Sequence, residues 1–207
     1  MGYQSIVSPR IRHLLSTATL STLYVLFAYA HLAQLIENGF RLSLALVVLF
    51  ETIMVLLVFF RRRSNDTDMS ALAVAAGLIG SFSVLGYRPI AGGEDLLTGQ
   101  LLQVIGGLFQ LGCSASIGRS FGIVPANRGI QTEGLYRLVR HPFYMSYLIS
   151  SVGYLISNLT VWNTLVLAVG TAFQVVRIRY EERLLLRDSA YVSYSDAVRW
   201  HLVPGVW

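Results

Sequence analysis

This chain predicts an all-α, polytopic helical membrane fold, and three observations carry that prediction. Hydrophobic residues fill 54% of its 207 positions, and charged residues only 13%. A water-soluble domain carries about 25% charge. Mean hydropathy is +0.58, and the apolar residues gather into six stretches divided by short polar segments. The expectation is about five to six transmembrane helices, closing with a C-terminal helical hairpin and a cytoplasmic C-terminal segment. The length suits one folding unit.

A spanning helix needs about 20 apolar residues. Stretches 14–36, 42–60, 69–87 and 96–117 meet that requirement. The first is too long for the apolar core of a cleavable signal peptide and lacks a small-residue cleavage site, so no such peptide is expected. Stretches 143–159 and 161–176 are shorter and meet at Asn158-Leu159-Thr160-Val161-Trp162-Asn163. Asparagine and threonine favour a tight turn, so the pair reads as a hairpin that need not cross the bilayer fully. Residues 177–188 are charged at helical spacing, with Leu184, Leu185 and Leu186 to one side. They read as a helix leaving the membrane. Tyr191, Tyr194, Trp200 and Trp207 return aromatic groups to the interface, and Pro204-Gly205 ends any helix there. An interfacial anchor helix is the plainer reading of this region.

All 16 basic residues are arginine, and codon bias explains that most simply. With the N-terminus in the cytoplasm, 14 of the 16 arginines fall inside, and only Arg41 and Arg88 outside. Both termini are therefore expected in the cytoplasm, in what reads as a bacterial inner membrane. The pI of about 9.6 suits an anionic leaflet rather than nucleic acid, because the charge lies beside the spans. Cys113 stands alone in an apolar run, so no disulfide framework forms. No histidine–cysteine spacing suits a metal, and no glycine-rich phosphate loop or dinucleotide fingerprint is present. No obligate protein partner is inferred.

Two polar blocks interrupt this oily chain. In the first, Arg140-His141-Pro142 places a proline where a helix begins, with His141 just before it and Tyr136, Arg137 and Tyr144 close by. A helix start exposes unpaired N–H groups and attracts anions. Topology alone accounts for the arginines, though not for the tyrosines and histidine beside them. The second block is Arg177-Ile178-Arg179-Tyr180-Glu181-Glu182-Arg183. Residues three or four apart share a helix face, so Glu182 can pair with Arg179 and Glu181 with Arg177. An ordinary salt-bridged helix is one reading; a pair of carboxylates holding an ammonium group or ribose hydroxyls is the other. Glu51 lies midway along the second span, where a charge costs about 2.5–3.5 kcal/mol. It is either a structural hydrogen-bonding partner, with His31 at hand, or part of a substrate path. Gly106, Gly107 and Gly112 read as sites of close helix packing.

Together the blocks resemble the isoprenylcysteine carboxyl methyltransferase family and the wider group with phospholipid N-methyltransferases. The pattern is Gly134, Tyr136, Arg140-His141-Pro142-Phe143-Tyr144, then a hairpin, then Arg179-Tyr180-Glu181-Glu182, Tyr191, Tyr194 and Pro204-Gly205. It covers residues 119–207, and the spans in 1–118 match no motif. Leu135 stands where the family often has proline, and Ser146 where a glycine usually follows.

The resemblance implies an integral-membrane enzyme using S-adenosyl-L-methionine. Its acceptor would be lipophilic or small, a carboxylate, thiol or amine taken at the cytoplasmic face. The resemblance assigns the cofactor to Tyr136, Arg140, His141, Pro142, Tyr144, Glu181, Glu182 and Tyr194. It gives catalysis to Arg179, which would position the acceptor, and to Glu182. Glu51 remains a substrate-path candidate. An NADPH-dependent membrane reductase would need more cationic residues and more spans. A small transporter or assembly factor would need polar residues along several spans, and Glu51, Gln100, Gln103 and Gln110 are the main ones here.

Overall fold

The computed structural model describes residues 9–37, 39–64 and 66–207. The side chains of Arg10 and Arg12, counted above with the cytoplasmic arginines, lie outside the described set. The described residues form helices α1 (Pro9–Glu37), α2 (Leu42–Phe60), α3 (Ala71–Phe82), α4 (Leu97–Ile117), α5 (Pro142–Ser157), α6 (Val161–Leu185) and α7 (Ser189–Ala197). Two short strands, β1 (Asp66–Thr67) and β2 (Ala126–Asn127), pair antiparallel and join the loops after α2 and α4. The all-α polytopic architecture therefore holds.

The set of long helices differs from the expected one. α1, α2, α4 and α6 are long and apolar enough to cross a membrane. The third stretch, expected to span, is α-helical only over Ala71–Phe82 before tightening into a 3-10 turn at Ser83–Gly86. The helix and its 3-10 turn together rise about 26 Å, short of a hydrocarbon core of about 30 Å. Small residues explain the tightening. A Cβ at Gly80 would stand 3.2 Å from the Gln174 side chain, and one at Gly86 3.1 Å from Val166. The segment follows α6 so closely that its course is set by contact rather than by length. α6, expected to be short, runs 25 residues. Thr160 caps its start by accepting from the Asn163 N–H at 3.0 Å, and the Arg177–Glu181 pair carries the helix on past its apolar part.

α4 and α5 pack along a seam of small residues. Ser146, Ser150, Gly153 and Ser157 of α5 are all buried and recur every three to four positions. They face Gly99 and Gly106 of α4, and a Cβ at Gly99 would meet the Gly153 carbonyl at 2.6 Å. Ser146, the departure from the family pattern, is fully buried in this seam and donates to the Phe143 carbonyl at 2.7 Å. Leu135, the other departure, packs over Gly112.

The two ends of the bundle separate as the arginine count implied. At one end, Asp95 binds Arg41, and the Asn163 side chain accepts from the Arg88 N–H and donates to its carbonyl. The Asn158–Asn163 turn is thus a dock for the segment 88–90, with Asn158 accepting from the Ile90 N–H. At the other end lie Arg61, held by Ser16 and Thr17, the β1–β2 pair, the Arg187–Asp66 bridge and both polar blocks.

Candidate functional site

The site is built at the start of α5. Gly134 adopts φ +62 and fits against Ser116, where a Cβ would come within 2.6 Å of the hydroxyl. That turn delivers Tyr136 inward and leaves Arg137 outside, paired with Glu133. His141 is the N-cap of α5 and Pro142 its first residue, as the proline rule requires. The backbone N–H groups of Arg140 and His141 donate to the carbonyls of Trp200 and His201, each at 2.8 Å. The segment after α7 is thereby held across the helix start.

Glu182 is the hub. His141 Nε2 lies 2.6 Å from one of its oxygens, and the Tyr191 hydroxyl donates to the same oxygen at 2.5 Å. Arg140 donates to the other at 2.7 Å. The expected Glu182–Arg179 pair does not form. Arg179 is exposed, and it lines neither of the two cavities described below. Two positions around a helix is about 200°, so Arg179 faces away from Arg177.

Arg177 is the arginine that reaches the site. It is 1% exposed. It donates to Ser81 at 2.7 Å, to the Gly122 carbonyl at 2.5 Å and to Glu181 at 3.3 Å, and it lies over the Tyr144 ring at 4.8 Å. Tyr144 donates to the same Glu181 oxygen at 2.6 Å. The i,i+4 spacing of Arg177 and Glu181 was legible in the sequence; the role of Arg177 was not.

Two cavities meet here. A polar pocket of about 740 Å³ is lined by Tyr136, Arg140, His141, Tyr144, Glu181 and Tyr194, together with Arg128 and Arg177. It gathers six of the expected cofactor residues. Pro142 and Glu182 stand behind this lining and hold it. An apolar cavity of about 960 Å³ runs between the helices and contains Glu51, Gln110 and Tyr147. Tyr144 lines both cavities, and the Ser81 hydroxyl bound by Arg177 belongs to the second. Glu51 lies 3.2 Å from His31 and also lines this cavity.

Two groups here, Arg128 and His201, escaped the sequence reading, and a third, Tyr191, was read only as part of the motif. The Arg128 side chain lines the polar pocket with no hydrogen bond or ion pair among the described residues, and its Nε is buried without an acceptor. Burial, with Arg61 adding to it, lowers its pKa to about 10, so it remains a cation at neutral pH. His201 lies 2.6 Å from Arg140 and stacks on Trp207. Burial and then Arg140 depress its pKa. Tyr191 is held protonated, its pKa raised by burial and by Glu182. A lone loop arginine and a histidine near the end of the chain carry no local pattern that marks them.

Among the described residues no cluster of acidic, histidine or cysteine groups could hold a metal ion. Residues 90–189 match the phospholipid methyltransferase family. The chain is 32% identical over 108 residues to Protein-S-isoprenylcysteine O-methyltransferase A of Arabidopsis thaliana. That alignment takes in 48% of this chain and 55% of the relative, so the chain spans about half the length of the curated relative it matches. The resemblance read from the two polar blocks therefore holds.

Proposed function

We propose that this chain, kin to the membrane methyltransferases through its C-terminal half, transfers a methyl group from S-adenosyl-L-methionine to a lipophilic acceptor at the polar end of the bundle. One observation carries the reading: the polar pocket and the intramembrane cavity share Tyr144, with Arg177 bridging them through Ser81. A water-soluble donor and a lipid-soluble acceptor need a meeting point of this kind.

The pocket fits the donor. It offers the carboxylate of Glu181 toward a sulfonium or ammonium group, and the unpaired Arg128 toward a carboxylate. When bound, the donor supplies a methyl group on a positively charged sulfur. The chain's residues do the rest by placement. Arg140, His141 and Tyr191 fix Glu182 at three points, which joins α5, α6 and α7 into one wall. Arg177 and Tyr144 hold Glu181 at the mouth of the cavity. Leu202, from the segment after α7, lines the cavity. Tyr144, which lines both cavities, is where an acceptor would meet the donor's methyl group. Alignment alone can lower a barrier by about 7–11 kcal/mol, and a dry site keeps the nucleophile poorly solvated. Arg177 is the permanent cation nearest that junction, suited to orient an anionic or lone-pair acceptor.

The test is a thermal shift of detergent-purified protein with S-adenosylhomocysteine and NADPH in parallel. Stabilisation by S-adenosylhomocysteine alone is expected. Stabilisation by NADPH alone would replace this reading with a reductase.

A further inference from the structure

The apolar cavity is not wholly apolar. Glu51 Oε1, Gln110 Oε1, Gln174 Oε1 and Ser150 Oγ are buried with no hydrogen-bond partner among the described residues, and all four residues line this one cavity. Glu51 is 3% exposed and Gln110 1%. His31 Nδ1 hydrogen-bonds Glu51 Oε2 at 3.2 Å and lies 3.1 Å from Oε1 as an ion-pair contact that lacks hydrogen-bond geometry. Gln174 gives its amide nitrogen to the Gly80 carbonyl at 2.9 Å, and its oxygen is left without a donor. Three of the four atoms are pure acceptors. A saturated acyl or prenyl chain in this space would leave every one of them dry and unpaired, a costly arrangement.

We infer that the acceptor carries a hydrogen-bond donor, a hydroxyl or N–H, partway along its lipophilic body, and that Glu51, Gln110 and Gln174 read it. This rests on the methyltransferase reading, since it describes the second substrate of that site. Gln174 lies three residues before Arg177 and Ser150 six after Tyr144. At the helical rise these offsets are about 4.5 and 9 Å. The donor therefore sits on the order of 5–10 Å below the reacting end. Such an acceptor differs from a plain hydrocarbon-tailed lipid, whose tail offers nothing to an acceptor oxygen. The same groups explain why Glu51 is tolerated in mid-membrane: a polar ligand, with His31, offsets its burial.

The test measures binding of octadecanoate, 7-hydroxyoctadecanoate and 16-hydroxyoctadecanoate to protein in phosphatidylcholine nanodiscs. S-adenosylhomocysteine is titrated into the same preparation. The 7-hydroxy acid should bind about tenfold or more tightly than octadecanoate, because a site built around polar groups rejects ligands that leave them unpaired. The 16-hydroxy acid should gain little. Gln110→Leu keeps the volume and loses only a weak contact to Met54, so the fold should persist. It should reduce the preference to less than threefold and leave octadecanoate binding intact. Equal binding of the three acids would overturn the inference, since water then satisfies these oxygens. So would no binding of any of them, or a preference unmoved in Gln110→Leu. A preference without S-adenosylhomocysteine binding would keep the cavity assignment and remove the methyltransferase reading.

Discussion

A buried ionic knot lies at each end of the bundle, and the two are built alike. At one end Asp95 accepts from Arg41 Nε and Nη2, from the Ser43 hydroxyl at 2.6 Å and from the Ser43 N–H at 2.8 Å. At the other, Glu182 accepts from Arg140, His141 and Tyr191. Both carboxylates are saturated. The difference lies in what surrounds them. Neither Arg41 nor Asp95 lines a cavity described here, whereas the Glu182 knot forms a wall of one and has an unpaired cation, Arg128, opposite. Buried charge by itself marks a joint. Buried charge left over after the joint is made marks a place for a ligand.

The largest effects should come from breaking each knot. Asp95→Asn and Glu182→Gln should each destabilise the protein by about 3–5 kcal/mol, the usual loss when one partner of a buried pair is removed. Only Glu182→Gln should also abolish S-adenosylhomocysteine binding, read by calorimetry at a temperature where both variants stay folded. If Asp95→Asn lost binding equally, the two knots would not differ in kind. Next comes a contrast within α6. Arg177→Lys should cut methyl transfer by about a hundredfold, since an ammonium cannot make the same fork of bonds. Arg179→Lys should leave turnover unchanged. The reverse outcome would return catalysis to Arg179.

A smaller effect sharpens the idea of the spare cation. Arg128→Gln should weaken S-adenosylhomocysteine binding by about 1.5–3 kcal/mol, the range for a hydrogen bond to a charged group. It should leave the decarboxylated analogue unaffected, and equal losses for both would assign Arg128 to packing alone. The smallest effect depends on pH. His201 is held below the ordinary histidine value by burial and by Arg140. Its contribution is complete above about pH 6.5 and fades as pH falls through the lower folded value. Hydrogen exchange over residues 198–207 should quicken in that acidic range, and His201→Asn should remove the pH response. The Asp95 carboxyl is pushed up by burial but held lower overall by Ser43 and Arg41. Its end of the bundle should loosen only below about pH 4.

Much of this was legible in the sequence because it is local. Proline after His141 fixed a helix start, asparagines and threonine fixed the hairpin turn, and arginine placement separated the two ends. Six of the expected cofactor residues share one pocket because a motif of five consecutive residues and one helix face supply most of them. What stayed hidden depends on contacts between distant segments. The third apolar stretch looked long enough to span, but Gly80 and Gly86 bind it to α6. Arg179 and Arg177 looked equivalent until the rotation of α6 was fixed by Ser81 and Gly122, which lie 96 and 55 residues away from Arg177. Arg128 and His201 have no neighbours in sequence that announce them.

The backbone bonds from Arg140 and His141 to residues 200 and 201 set an order of events during synthesis. A nascent chain can insert α1 to α5 and still lack the wall of its polar pocket. That wall closes only after α6 and α7 have been made and the segment beyond them has returned to the start of α5. A ribosome stalled before residue 200 would leave a membrane-embedded but ligand-blind intermediate, with Arg140 and the α5 amides open to water.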